Sequence, residues 1–171
     1  MNINENGYEV GEKMDNKNFH TFREYMKKDD NFLTASMEDY LEMIYRLSAE
    51  TGFTRINALS QALNVQPPSA TKMVQHLAGL QLVKYERYGV VLLTEKGNEL
   101  GLKLLNRHII IEAFMKVIDL DNEKALEETE KIEHVLSDET ILSIRNYVDF
   151  VKSNPDIWDR FQVFKYDKKA T

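Results

Sequence analysis

The 171-residue sequence contains no cysteine, only three prolines and only seven glycines. Without thiols the chain can form no disulfide, no thiolate metal site and no thiol nucleophile, so a bound metal must be held by oxygen and imidazole ligands. No stretch approaches the roughly 18 consecutive apolar residues that a membrane span requires, and the N-terminus has no apolar signal segment. We therefore expect a cytoplasmic protein with no membrane partner.

Acidic residues outnumber basic ones, and the net charge at pH 7 is −6. The charged residues are unevenly distributed along the chain. Residues 55–107 carry seven basic and three acidic side chains, a net charge of +4, whereas residues 108–152 carry five basic and eleven acidic ones, a net charge of −6. This pattern favours an anion-binding part followed by a cation-binding part, although two differently solvated surfaces would give the same charges.

The sequence predicts a mainly α-helical fold with one small β-hairpin. Residues 1–33 are polar and are expected to form a flexible N-terminal arm. Ser36 is predicted to cap a first helix that runs to about Glu50, with Asp39 as the acidic partner of a capping box. A short second helix follows from Ile56, and Pro67 marks the start of a third.

Two β-prone runs between Gln81 and Thr94 predict a hairpin, and Thr94 then caps a long helix that ends near Asp119. Two further helices are predicted over about 122–135 and 138–152. The segment order is typical of a winged helix-turn-helix at 34–106, followed by a helical part at 107–153 and a tail at 154–171 with no readable structure.

The third helix and the hairpin supply the candidate DNA contacts. The helix directs its apolar residues to one side and leaves amide, hydroxyl and basic groups on the other, where base edges and phosphates could be met. The candidates are Gln66, Pro67, Ser69, Thr71, Lys72 and Gln75, with Lys84 and Arg87 near the wing. A solvated amphipathic helix is the alternative interpretation.

Ligand-type side chains occur at helical spacing in two places. Glu130, Glu133 and His134 stand at i, i+3 and i+4, and Asp39 and Glu42 stand three apart on the first helix. His108 interrupts an apolar stretch, where an imidazole needs a partner. Each has an ordinary alternative, because carboxylates on helices are usually solvated and a core histidine is often satisfied by one hydrogen bond.

Several of these segments together resemble the DtxR/MntR family of metal-dependent transcriptional repressors. The resemblance rests on Ser36–Tyr45, Pro67–Val74, Leu93–Gly97, Arg107-His108 and Ile132–His134. It spans about residues 34 to 152 and is strongest to the manganese-transport-regulator branch.

The resemblance implies a function and a ligand set. It implies a repressor that requires Mn²⁺ and controls manganese uptake genes, with two ions per subunit that Fe²⁺, Co²⁺, Zn²⁺ or Cd²⁺ could replace. The ligands it implies are Asp39, Glu42, His108, Glu130, Glu133 and His134. The iron-sensing branch has Met and Cys at the positions of Asp39 and Glu130, so the oxygen ligands here favour a harder ion.

A metal held by residues from both parts would couple them and set the spacing of two recognition helices in a homodimer on a palindromic, double-stranded operator. The 107–153 part is then a metal-binding and dimerisation domain. Its apolar side chains could form the dimer surface or pack within one chain: Ile132, Val135, Ile141, Ile144, Tyr147, Val148 and Phe150.

Three other functions fit some of these features. An iron-responsive repressor of the same family would use the same site, and a winged-helix regulator with a non-metal effector would leave the acids solvated. A carboxylate-bridged dimetal enzyme would also use Glu and His on helices, but such centres use Glu-x-x-His, and the residue three before His134 is Lys131. No catalytic motif is present, so no enzymatic activity is expected.

Overall fold

The computed structural model describes residues 33–169, which form seven α-helices and a three-stranded sheet. The elements are α1 (Ala35–Ser48), β1 (Thr54–Arg55), α2 (Ile56–Ala62), α3 (Pro67–Gly79), β2 (Val83–Tyr85), β3 (Val90–Leu93), α4 (Glu95–Val117), α5 (Asn122–Ile132), α6 (Asp138–Ser153) and α7 (Pro155–Lys169). The arm predicted at 1–33 lies outside the described residues except for Leu33, which is buried. Over 33–169, no helix is both long and apolar enough to cross a bilayer.

The start of α1 differs from the prediction. Thr34, not Ser36, is the N-cap, because the backbone is already helical at Ala35. The Thr34 hydroxyl accepts from the Met37 amide at 3.4 Å, and the Met37 sulfur accepts from the Thr34 amide at 3.5 Å. Asp39 is therefore free of the capping role, and the helix ends at Ser48 rather than Glu50.

The first core lies between α1, α2, α3 and the sheet. Leu41, Ile44, Leu59, Leu77 and Leu82 are fully buried in it. The sheet has three strands in the order β1-β3-β2, all antiparallel, with Thr54 paired to Val91 and Val83 paired to Leu93. The sequence predicted only the β2–β3 hairpin, because the two-residue β1 is too short to show an alternating pattern.

The tip of the wing is a tight turn between β2 and β3. Tyr88 and Gly89 have φ of 61° and 73°, and Tyr88 is 91 % exposed. The guanidinium of Arg55 donates to the Tyr88 carbonyl at 3.2 Å, which ties the tip to β1. A positive φ at a non-glycine residue costs energy, so this bond offsets strain at the tip.

The long helix α4 belongs to both halves of the fold. Thr94 caps it as predicted, accepting from the Gly97 amide at 3.0 Å. A Cβ at Gly97 would lie 1.8 Å from the Leu82 carbonyl oxygen, so only glycine allows α4 to approach β2 this closely. The N-terminal half of α4 packs on the first core through Leu104, and its C-terminal half enters a second core through Ile111.

The second core is small and lies between α4, α5 and α6. Ile111, Met115, Ala125 and Ile141 are buried in it. Of the predicted dimer surface, Ile141 and Val148 are therefore covered within one chain, while Val135, Tyr147 and Phe150 stay exposed.

The tail at 154–171, for which the sequence indicated no particular structure, is helical from Pro155 to Lys169. Asn154-Pro155 ends α6 as predicted, but Pro155 also begins α7, where its fixed φ suits the first turn of a helix. Lys165 of α7 forms an ion pair with Asp119 at the end of α4.

Candidate metal centre and DNA-reading surface

Three helices bring ligand-type side chains together. Asp39 and Glu42 come from α1, His108 comes from the middle of α4, and Glu133 and His134 follow the last residue of α5. The close packing of α4 on α1 depends on Gly101, where a Cβ would lie 2.8 Å from the Cβ of Tyr45. Asp39 and Glu133, which are 94 positions apart in sequence, thereby lie at one site.

The side chains form two groups that share one carboxylate. Glu42, His108 and Glu133 make up the first, and all three are buried. Asp39, Glu133 and His134 make up the second. Within each group the ligand atoms lie within 4.8 Å of one another, so each could surround one ion.

His108 belongs to the deeper group. Its Nδ1 lies 3.0 Å from Glu133 Oε2, and the two residues are 4 % and 2 % exposed. The hydrogen bond to Glu133 outweighs burial and raises the pKa of His108. The carboxylates around His108 thus favour positive charge at this place, which is also the electrostatic condition for binding a cation.

His134 belongs to the shallower group and contacts a carboxylate on each side. Its Nε2 lies 2.8 Å from Asp39 Oδ1, and its Nδ1 lies 2.8 Å from Glu38 Oε2. These hydrogen bonds, to Asp39 first and then to Glu38, raise the pKa of His134 to about 10. The site thus holds a positive charge on this imidazole.

Glu38 was not among the residues predicted from the sequence. It is a buried carboxylate, with 8 % of its surface exposed. It forms an ion pair with Arg107 as well as the bond to His134. Burial alone would raise the pKa of Glu38, but the bonds from His134 and Arg107 outweigh it and lower the pKa. A helical wheel could have identified it, because it stands three residues before the buried Leu41.

Glu130 lies beside the cluster but outside both groups. Its Oε1 is 3.8 Å from His108 Nδ1, and its side chain is 56 % exposed. Burial, together with the nearby Glu133, raises the pKa of Glu130. Five of the six predicted ligands are therefore brought together, and the sixth is at the edge.

The donor set suits a hard to borderline divalent cation. It contains carboxylate oxygens and imidazole nitrogens, and no thiolate is possible because the chain has no cysteine. Such ligands suit Mn²⁺ and Fe²⁺. Buried carboxylates at this separation repel one another unless a positive charge lies between them, so these residues fit a bound metal.

The predicted DNA contacts lie on α3, immediately before it, and in the wing. Seven of them are exposed: Gln66, Pro67, Ser69, Lys72, Gln75, Lys84 and Arg87. Thr71 is half-buried, and its hydroxyl donates to the Pro67 carbonyl at 2.9 Å. The outer face of α3 is thus polar and open, as a groove-reading helix requires.

This fold and this site define a winged-helix protein with a candidate metal centre between its two halves. Residues 32–91 match the model of the iron dependent repressor N-terminal DNA binding domain, and residues 94–161 match that of the iron dependent repressor metal binding and dimerisation domain. The chain belongs to this family of metal-dependent, dimerising, DNA-binding transcriptional repressors. The dimetal-enzyme alternative is therefore set aside.

Curated relatives match over most of their length. The chain is 41 % identical over 132 residues to the HTH-type transcriptional regulator MntR of Lysinibacillus sphaericus, covering 77 % of this chain and 95 % of the relative. It is 38 % identical over 138 residues to MntR of Listeria welshimeri, covering 81 % and 97 %.

Solved structures show the same fold. The manganese regulator SloR superposes with a TM-score of 0.60 at 29 % identity, covering 69 % of this chain and 55 % of that one. A manganese-dependent transcriptional repressor in complex with manganese gives 0.59 at 26 % identity, covering 67 % and 53 %. The chain matches only about half the length of these two proteins.

Proposed function

We propose that this chain is a transcriptional repressor that Mn²⁺ activates for DNA binding, and that it controls manganese uptake genes. The observation that carries the proposal is the position of Glu133, which is buried and shared by both ligand groups. One group includes Asp39 and the other includes Glu42, so each joins α1 of the DNA-binding half to the helical half.

The proposed ligands form two neighbouring metal sites. Glu42, His108 and Glu133 would hold one ion, and Asp39, Glu133 and His134 would hold the other, with Glu133 as the bridge. Glu130 is the sixth ligand, and its exposed carboxylate would turn inward towards the ions. Fe²⁺, Co²⁺, Zn²⁺ and Cd²⁺ are expected to occupy the same ligands, because this donor set discriminates weakly among them.

Manganese is favoured over iron by two observations. The donor set contains no thiolate, because the chain has no cysteine, and the curated relatives at about 40 % identity are MntR proteins. Iron-responsive repression remains the second candidate function, because the family models that match are those of the iron dependent repressors.

The bound ions would act by cancelling repulsion. Without them, the positive groups that contact the carboxylates of Asp39, Glu42 and Glu133 within residues 33–169 are His108, His134 and Arg46. With them, α1 is fixed against α4 and α5, and the two recognition helices of a dimer are held about 34 Å apart, one turn of DNA. Metal and operator then bind cooperatively by linkage.

The DNA contacts follow from the exposed face of α3 and the wing. Gln66, Ser69, Thr71 and Gln75 would meet base edges or nearby phosphates. Lys72, Lys84 and Arg87 would contact phosphates, and Pro67 would set the start of the helix against the backbone. A symmetric dimer of this kind reads a palindromic operator.

In this proposal residues 34–106 form the DNA-binding domain, and residues 107–153 form the metal-binding and dimerisation domain. Dimerisation would cover apolar side chains that one chain leaves open, among them Ile109, Leu142, Tyr147 and Phe150, which are 47 % to 56 % exposed. Exposed apolar side chains grouped on helices mark an interaction surface.

The test is a DNA-binding measurement on the full chain. DNA duplexes that the protein binds are first selected from a random pool in Mn²⁺. Their affinity is then measured by fluorescence anisotropy in Mn²⁺, in anaerobic Fe²⁺ and in a chelator. We expect tight binding in Mn²⁺ that is lost in the chelator, and little response to Mn²⁺ in Glu133→Gln. Equal affinity with and without metal would overturn the proposal, and activation by Fe²⁺ alone at physiological concentration would favour the iron alternative.

A further inference from the structure

The two ring nitrogens of His134 have different surroundings. Nε2 faces the proposed ligands, 2.8 Å from Asp39 Oδ1 and 3.8 Å from Glu133 Oε1. Nδ1 faces away from them and lies 2.8 Å from Oε2 of Glu38. Only Nε2 can therefore reach an ion that Asp39 and Glu133 also contact.

Glu38 is held in place from its other side by Arg107. The two side chains form an ion pair and are 11 % and 12 % exposed, so neither can move far. A guanidinium only donates, and an ionised carboxylate only accepts. The short contact between Glu38 and Nδ1 consequently requires a proton on Nδ1 of His134. Arg107 Nη2 is 3.4 Å from Nδ1 and cannot supply an equally good bond there.

We propose that Glu38 is a positioning residue for His134. In the metal-free protein both ring nitrogens donate, Nε2 to Asp39 and Nδ1 to Glu38. When a metal replaces the proton on Nε2, Glu38 would keep the proton on Nδ1 and leave the Nε2 lone pair for the ion, while Arg107 holds Glu38 in that orientation. A metal-bound histidine usually donates its other ring N–H to a carboxylate or carbonyl, and losing that partner typically costs 10- to 100-fold in metal affinity. The inference rests on the proposed function, because it assigns Glu38 a role at the same site.

The contact also joins the two halves of the fold. Glu38 is in the first turn of α1, and His134 follows α5. The hydrogen bond between them joins α1 to the segment after α5, so it helps to hold the arrangement that a metal would fix. Glu38 would thus lower the cost of closing the site as well as orient one ligand.

The first experiment is a Mn²⁺ titration of the full chain, followed by the electron paramagnetic resonance signal of free Mn²⁺. It compares the wild type with Glu38→Ala, with Glu38→Gln, and with Glu50→Ala, an exposed glutamate just after the same helix. We expect Glu50→Ala to match the wild type and Glu38→Ala to bind about 10- to 100-fold more weakly with unchanged stoichiometry. Glu38→Gln should fall between them, because its amide oxygen still accepts from Nδ1–H without a charge.

The second experiment reads the proton directly. Long-range ¹H–¹⁵N spectra of the Cd²⁺-loaded wild type, with the His134 signals assigned by comparison with His134→Asn, should show a protonated Nδ1 and a metal-bound Nε2. This measurement decides the question even if Glu38→Ala fails to fold.

Three results would overturn the inference alone: metal on Nδ1, wild-type affinity in Glu38→Ala, or the loss of one bound ion in Glu38→Ala, which would make Glu38 a ligand. A wild type that binds no Mn²⁺ would instead overturn the proposed function.

Discussion

The guanidinium of Arg46 lies 2.5 Å from the carboxylate of Glu42, one turn earlier on α1. Glu42 is a proposed metal ligand, so Arg46 is a built-in cation that competes with the metal for the same oxygen. The side chain of Arg46 is 37 % exposed, which allows it to move aside when an ion arrives.

We expect Arg46→Met to bind Mn²⁺ about two- to fivefold more tightly, since a partly exposed ion pair contributes up to about 1 kcal/mol. A titration of Mn²⁺ into both proteins measures the change. Arg160→Met, at an exposed position on α7, is the control and should not alter affinity. Unchanged or weaker binding in Arg46→Met would show that Arg46 does not compete.

Glu130→Gln should affect the metal-free and the metal-bound protein in opposite directions. The raised pKa of Glu130 means that burial and Glu133 disfavour its charge, so a neutral amide should stabilise the metal-free fold. The gain should be only a few tenths of a kcal/mol, roughly, because solvent screens a side chain that is 56 % exposed. Mn²⁺ binding should weaken, because a proposed ligand is lost.

Urea unfolding without metal and Mn²⁺ titration measure the two effects of Glu130→Gln. Asp149→Asn, an exposed position on α6, serves as the comparison and should change neither. Glu130 has no ligand role if its variant keeps wild-type metal affinity.

The exposed face of α3 predicts two kinds of DNA-binding defect. Lys72→Ala should weaken binding to all duplexes and reduce the slope of log affinity against log salt by about 0.9, the contribution of one phosphate contact. Gln75→Ala should leave that slope unchanged and reduce discrimination between operator and altered duplexes by about 1–3 kcal/mol. Anisotropy titrations over a salt series separate the two. Lys152→Ala on α6 should behave as wild type, and an equal salt slope in Lys72→Ala would contradict the phosphate assignment.

Gly97→Ala should destabilise the protein by at least about 1–3 kcal/mol, the usual cost of overpacking. The added methyl group would meet the Leu82 carbonyl, which is backbone and cannot rotate away. Gly79→Ala is the matched control, because no atom lies within 4 Å of the added carbon. It should be neutral or stabilising by up to about 1 kcal/mol. Circular dichroism during urea unfolding gives both values, and equal midpoints for the two variants would contradict the close approach of α4 to β2.

Helical periodicity was sufficient to predict most of the fold. Regular spacing of apolar residues predicted α1 to α6 within a few residues, because each buries one face. The pattern was not sufficient for α7, where Phe161, Val163 and Phe164 are exposed on several sides and define no single buried face. The cap at Thr34 was missed because Ser36 is an equally good capping residue by type.

The ligands were easier to predict than their supporting residues. Glu133 and His134 stand out because they follow Glu130 by three and four residues, which places all three ligand-type side chains on one face of a helix. Glu38 does not stand out, because its contacts are with Arg107 and His134, far away in sequence. A helical wheel places Glu38 towards the buried face of α1, but its pairing with Arg107 and His134 follows only from the packing of α1 against α4 and the segment after α5.

The most direct test of a bridging Glu133 is the electron paramagnetic resonance spectrum of the full chain loaded stepwise with Mn²⁺. We expect two ions per subunit and, at the second equivalent, a magnetically coupled spectrum that Glu133→Gln abolishes. A single bound ion, or two uncoupled ions with the same spectrum in Glu133→Gln, would contradict a shared carboxylate at the centre of the switch.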